Sequence, residues 1–79
     1  MMVDRLEDRS RWDRLTEREK AVARLAAEAL TNQQIARRLG ITTHTVNFHL
    51  RQIFAKLEIG SRVSLARLMA QGEPGNPLG

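Results

Sequence analysis

The chain has 79 residues, no cysteine, 28% charged residues and a net charge of +4. That length allows one small domain. Without cysteine there are no disulfides or thiolate metal sites, so well-formed helices around one modest core, or a partner chain, must supply the stability. No run approaches the roughly 20 apolar residues of a membrane span, and the opening MMVDRLEDRS is too charged for a signal peptide. The expectation is a protein of the cytoplasm with no membrane partner.

Residues 1–14 form a charged N-terminal arm. They alternate both signs around Val3, Leu6 and Trp12, a pattern that fits a short helix or an ordered arm equally. Four helical stretches follow, each with a start signal. Thr16-Glu17-Arg18-Glu19 fits a capping box, in which the threonine hydroxyl takes an orphan backbone N–H and the glutamate reaches back. Val22, Leu25, Ala26 and Ala29 then recur at helical spacing as one apolar face. Thr31-Asn32-Gln33-Gln34 is a second box, opening a short helix with Ile35, Ala36 and Leu39 inward. Gly40 stops it, because glycine accepts the left-handed conformation. Thr42 caps a third helix running to about Leu57, and Ser61 starts a fourth that carries Leu65, Leu68 and Met69. QGEPGNPLG, residues 71–79, gathers three glycines and both prolines and reads as a frayed end. Nothing alternates with period two over a useful length, so the fold class is all-α. The tight LGIT connector makes the second and third helices a helix-turn-helix, with Ile41 as the apolar plug in its crook.

The third helix is apolar on one side and unusual on the other. With Val46 at zero on a helical wheel, Leu50, Ile53 and Leu57 fall within about 40° and Phe54 near 80°. The far side carries His44, Asn47, Phe48, Arg51 and Ala55, with no acidic residue before Glu58. A solvated face would ordinarily mix Glu with Lys. This one suits a DNA major groove: arginine forks onto guanine O6 and N7, asparagine pairs with adenine, and an aromatic ring sits against a thymine methyl. For Phe48 two readings stand, a groove contact or a ring folded sideways against Gln52 or a neighbouring helix. Thr42, Thr43 and Thr45 cluster at the helix N-terminus, where hydroxyls, free amides and the helix dipole favour an anion such as phosphate. Charge placement agrees. The first 28 residues carry seven charges of each sign, while residues 29–79 carry six basic and two acidic, so the whole excess lies beside this helix. A polyanion is the partner that asymmetry favours.

Residues 15–68 resemble the DNA-binding domain of LuxR-type (GerE-like) bacterial transcription regulators. The resemblance rests on Leu15-Thr16-x-Arg18-Glu19, Ile35-Ala36-x-x-Leu39-Gly40-Ile41, Thr45-Val46-x-x-His49-x-x-x-Ile53, Lys56-Leu57 and Ser61-Arg62. It implies a four-helix helix-turn-helix domain, here 15–71 followed by a flexible tail at 72–79. The helix 42–57 would enter the major groove, and the last helix would serve a dimer interface through Leu65, Leu68 and Met69. The two positions after Thr45-Val46 and the position two after His49 are the family's usual base contacts. Those are Asn47, Phe48 and Arg51, and His44 completes the base-reading set. Phosphate contacts are expected from Thr31, Asn32, Thr42, Thr43, Thr45 and Lys56. The resemblance also implies that Glu19 pairs with Lys56 or Arg62, which leaves each cation divided between scaffold and phosphate contact. Asn47 departs from the basic residue the family often has there, Ala29 from a common glycine, and Gln34 from a common glutamate. The residues before Leu15 are too few for the upstream domain most such regulators carry, so the expectation is a stand-alone regulator or a piece of a larger one.

The implied function is sequence-specific binding of double-stranded DNA as a homodimer, with RNA polymerase as a further candidate partner. Two alternatives remain: a sigma-factor region-4-like promoter-binding module, and a helix-turn-helix-shaped protein-interaction module that does not bind DNA. An enzyme is not expected, nor a cofactor or metal. His44 and His49 are five apart and point about 140° away from each other on a helix, and no carboxylate pair or glycine-rich phosphate loop is evident. His49 borders the buried face and reads as a hydrogen-bonded structural residue.

Overall fold

The computed structural model describes residues 5–74. Among these residues there are five helices, α1 (Arg5–Trp12), α2 (Glu17–Ala27), α3 (Asn32–Leu39), α4 (Thr43–Leu57) and α5 (Arg62–Ala70), and no strand. Each of the last four starts at a hydroxyl cap. The Thr16 Oγ1 accepts the Glu19 N–H at 3.1 Å while the Thr16 N–H donates to Glu19 Oε1 at 2.9 Å, a complete capping box. Thr31 and Gln34 repeat it at 3.1 and 2.8 Å. The Thr42 hydroxyl takes the Thr45 N–H at 3.1 Å, and Ser61 takes that of Ser64 at 3.2 Å. Each such cap contributes about 1 kcal/mol. Gly40 ends α3 in the left-handed region at φ 69°. A Cβ built there meets nothing within 4 Å, so only the backbone conformation asks for glycine.

The helices close one core. Trp12, Val22, Ile35, Val46, Ile53 and Leu65 are its largest fully buried side chains. α2 packs against α3, α4 and α5, α3 crosses onto α4, and α1 leans on α4. Residues 5–12 are therefore helix, and their contribution is tertiary: Trp12 is 1% exposed. Arg11 reaches Glu7 and Asp8 on its own helix, both at 3.9 Å, and Glu58 beyond α4 at 3.5 Å.

Three expectations change. α2 stops at Ala27, so Ala29 is not on its apolar face; it is exposed in the following turn at φ 68°. Leu65 is 0% exposed and belongs to the core, which removes it from any interface with a second copy; Leu68 and Met69 are half-buried against the same core. The stretch expected to fray begins in contact with the fold. Arg24 makes a bidentate pair with Glu73, Nε–Oε1 2.6 Å and Nη2–Oε2 3.1 Å, with its guanidinium 5.8 Å from the Trp12 ring, and Pro74 is buried. The remainder of the arm and of the tail, residues 1–4 and 75–79, lies outside the described residues.

Candidate nucleic-acid interface

The site is built by the way α4 is pinned. Val46, Leu50, Ile53 and Leu57 fall on one side by helical spacing and are buried under α2 and α3. That rotation leaves His44, Asn47, Phe48, Arg51 and Ala55 exposed along the other side. Phe48 is 53% exposed. Its nearest aromatic neighbour is His49, edge-on at 5.9 Å between centroids, so the ring is not folded into the core. No carboxylate interrupts this face. Glu58, the first acidic residue beyond it, sits at the left-handed C-cap (φ 58°), where its carboxylate faces Arg11.

At the N-terminus of α4, the Thr42 and Thr45 hydroxyls lie 3.0 Å apart, and Thr43 is exposed. Thr42 caps the Thr45 amide, but the Thr43 and His44 amides, in the first turn, have no intrahelical carbonyl to donate to. These donors point along the axis at the positive end of the helix dipole. The turn into α3 adds Thr31, which is exposed and engaged in its own capping box.

Lys56, Arg62 and Asn32 have definite partners inside the protein. Lys56 Nζ donates to Glu19 Oε1 at 2.8 Å. Glu19 is 5% exposed. Burial by itself would raise its pKa, but the Lys56 ammonium together with the Thr16 amide and hydroxyl holds the carboxyl below its ordinary range. The expected Glu19 partner is thus Lys56. Arg62 does not share it: Nη1 donates to Asn32 Oδ1 at 2.5 Å and Nη2 to the Leu30 carbonyl. That arrangement staples the start of α5 to the turn between α2 and α3. Asn32 in turn donates from Nδ2 to Asn47 Oδ1 at 3.5 Å. Sequence spacing gave no hint of this chain, because its members are 30 and 15 residues apart.

His49 also differs from expectation. It is half-buried, and no protein group among the described residues lies within hydrogen-bond reach of its buried Nδ1. Among the described residues, Arg37, Arg38, Arg51 and Arg67 are exposed and make no ion pair within 4 Å. Arg18 donates to the Leu39 carbonyl at 3.3 Å. Arg37 and Arg38, two of the six basic residues in the charge excess, have no position implied by spacing alone; they line, with Gln34, an open depression of about 450 Å³ on α3. Among the described residues no group of three or more His, Asp or Glu side chains could hold a metal ion, and no helix is long and apolar enough to cross a membrane.

A short helix, a glycine turn and a second helix whose exposed face carries amide, aromatic and guanidinium groups but no carboxylate define a helix-turn-helix domain. The family model described as bacterial regulatory proteins, luxR family, matches residues 13–69, and the chain belongs to that family. Among its relatives, a protein of Mycobacterium bovis named as an HTH-type transcriptional regulator is 46% identical over 54 residues, 68% of this chain and 6% of that protein. The nitrate/nitrite response regulator protein homolog of Haemophilus influenzae is 39% identical over 64 residues, 81% of this chain and 31% of that protein. The nitrate/nitrite response regulator protein NarL of Escherichia coli K12 is 43% identical over 54 residues, 68% of this chain and 25% of that protein. The chain therefore spans less than a third of the length of each of these relatives.

Proposed function

We propose that this domain binds double-stranded DNA sequence-specifically, with α4 in the major groove, and serves a bacterial transcription regulator that acts as a dimer on two half-sites. The observation that carries this is the exposed face of α4. Asn47, Phe48 and Arg51 stand outward over little more than one helical turn, while the opposite face is buried. Arg51 is exposed with no carboxylate within 4 Å among the described residues. A forked donor held free in this way matches guanine O6 and N7. The Thr42–Thr45 end of α4 and Thr31 at the cap of α3 supply the phosphate contacts that set the docking register. Lys56 neutralises Glu19 first, and any phosphate contact it makes comes from the exposed remainder of its ammonium.

With Leu65 in the core, a second copy would meet the outward side of α5, where Val63 is 62% exposed and Arg67 and Ala70 are exposed. Beside it lies an open apolar depression of about 490 Å³ between Ala26, Leu30, Val63 and Ala66.

Selection of bound sequences from a random DNA pool tests the reading. An enriched site with inverted symmetry is expected. Its affinity should fall on the order of a thousandfold from 50 to 200 mM salt if about six phosphates are contacted. No enriched sequence together with salt-independent partner binding would instead support the protein-interaction alternative. Ultracentrifugation on the full site tests the dimer, and a 1:1 complex on an inverted repeat would remove it.

A further inference from the structure

The chain Arg62–Asn32–Asn47 has a direction, and the chemistry of its first member sets it. A guanidinium has donors only. Arg62 Nη1 lies 2.5 Å from one side-chain atom of Asn32, which must therefore be the carbonyl oxygen. The Asn32 amide nitrogen is then on the other side, 3.5 Å from Asn47, and a nitrogen that donates needs an acceptor there. So Asn47 turns its Oδ1 toward α3 and leaves its Nδ2, with two N–H groups, facing outward. Asparagine orientation, ordinarily ambiguous between oxygen and nitrogen, is here fixed from the far end by an arginine. Arg62 is itself held, because Nη2 donates to the Leu30 carbonyl, and both Arg62 and Asn32 are half-buried.

We propose that Asn32 and Arg62 are positioning residues that give Asn47 a single hydrogen-bond polarity, so that it presents donors to the groove and the domain selects guanine over adenine at the base that Asn47 faces. The inference rests on the reading of α4 as the base-contacting helix. An unconstrained asparagine pairs with adenine by accepting from N6 and donating to N7 at once. With its oxygen turned toward Asn32 on α3 and its two N–H groups toward the groove, Asn47 is oriented against that paired contact, which needs oxygen and nitrogen side by side at the base edge. Guanine, whose major-groove edge offers O6 and N7 as two adjacent acceptors, is the complementary base. Asn32 keeps its second N–H for a phosphate, which preserves the contact expected of it at the start of α3.

The test is a polarity reversal. Asn32→Asp keeps an acceptor for Arg62 and adds a negative charge in the first turn of α3, where the dipole favours it; thermal stability should hold or rise. An aspartate has no donor, so Asn47 must turn its Nδ2 inward and offer its oxygen to the DNA. Random-pool selections run in parallel on the wild type, Asn32→Asp, Asn32→Ala and Asn47→Ala make the comparison, at equal salt. Asn47→Ala identifies the base position by erasing its preference. At that position the wild type should enrich guanine over adenine. Asn32→Asp should shift enrichment to a donor-bearing base, adenine or cytosine, with a lower overall affinity. Asn32→Ala, which frees the amide, should move the guanine-to-adenine ratio about three- to tenfold toward parity. A wild type that enriches adenine there, or a preference that neither Asn32 variant moves, overturns the polarity inference while leaving DNA binding intact. Failure of every protein to enrich any sequence overturns the DNA-binding reading itself, and this inference with it.

Discussion

The two faces of α4 answer to different demands. Inward, Val46, Leu50, Ile53 and Leu57 are alike in kind and buried, and what matters of them is volume. Outward, His44, Asn47, Phe48 and Arg51 differ from one another and stay in solvent. One 15-residue helix is thus divided lengthwise into a half that holds the domain together and a half left free for a partner. The outer half is not wholly free of the fold, since Asn47 accepts from Asn32 on α3. The division makes a sharp demand: substitutions on one face should move stability and leave binding selectivity alone, and substitutions on the other should do the reverse.

The largest expected effect is on the inner face. Leu50→Ala leaves a cavity in the core and should cost about 2–5 kcal/mol in chemical denaturation. A domain of this size has a stability near the low end of roughly 5–15 kcal/mol, so much of the protein should be unfolded at physiological temperature. Next comes Arg51→Ala on the outer face. It should weaken binding to the selected site by about 1–3 kcal/mol, weaken binding to random DNA far less, and leave the melting temperature in place. Equal losses on both DNAs would turn Arg51 into a phosphate contact. A fall in melting temperature would break the division itself. Phe48→Ala is the more delicate test of the same face, because an exposed ring has little packing to lose. Its effect should appear, at about 1 kcal/mol, only on sites that place a thymine methyl against it.

Lys56 tests the division from its border, since its chain is partly exposed while its head serves the buried Glu19. Lys56→Met should cost about 1–2 kcal/mol at neutral pH, below the figure for a fully buried pair because water reaches the lysine. The pH dependence has a definite sign. In the wild type the Glu19 pKa is lowered from its ordinary 4.5, so its contribution is fully present above that value and is lost as pH falls through the lowered one. Without Lys56, burial is the largest remaining influence on Glu19 and acts to raise its pKa. The stability gap between wild type and variant should therefore narrow as the pH drops below the carboxylate range. A gap that stays constant from pH 7 to pH 3 would show that Glu19 and Lys56 are not coupled.

How far each part was legible follows from the range of the forces that shape it. The starts at Thr16, Thr31, Thr42 and Ser61, the left-handed Gly40 and the inward stripe of α4 are local matters of spacing and capping, and the structure has each where the residues place it. Helix α1 was undecided because its residues are mostly charged and its largest apolar side chain, Trp12, becomes informative only once α4 and Arg24 are beside it. Leu65 was misassigned for the converse reason. Periodicity marks a residue as apolar, but a short helix with apolar groups on both sides does not say whether Leu65 or Val63 faces inward. The roles of Asn32 and Arg62 depend on proximity across three helices and have no local signature.

Ala29 offers the smallest effect and a different kind of control, since it lies on neither face of α4. Its φ of 68° is one that a residue with a Cβ adopts at a cost of roughly 1–2 kcal/mol. Ala29→Gly removes that cost but gives the unfolded chain more freedom, so the net gain should be about 0.5–1 kcal/mol. The mirror change, Gly40→Ala, should lose a similar amount: the new methyl meets nothing within 4 Å, yet the backbone there is left-handed as well. Melting curves of the two single variants should therefore move in opposite directions by comparable steps. Their affinities for the selected DNA give the second readout. Ala29 precedes the Leu30 carbonyl that holds Arg62, so a more stable Ala29→Gly variant with unchanged guanine preference would show that the turn serves the fold alone. Raised stability with a weakened preference would mean that the strained turn also holds Arg62 and Asn32 in register, and that the line between the two halves of α4 runs through the turn before α3.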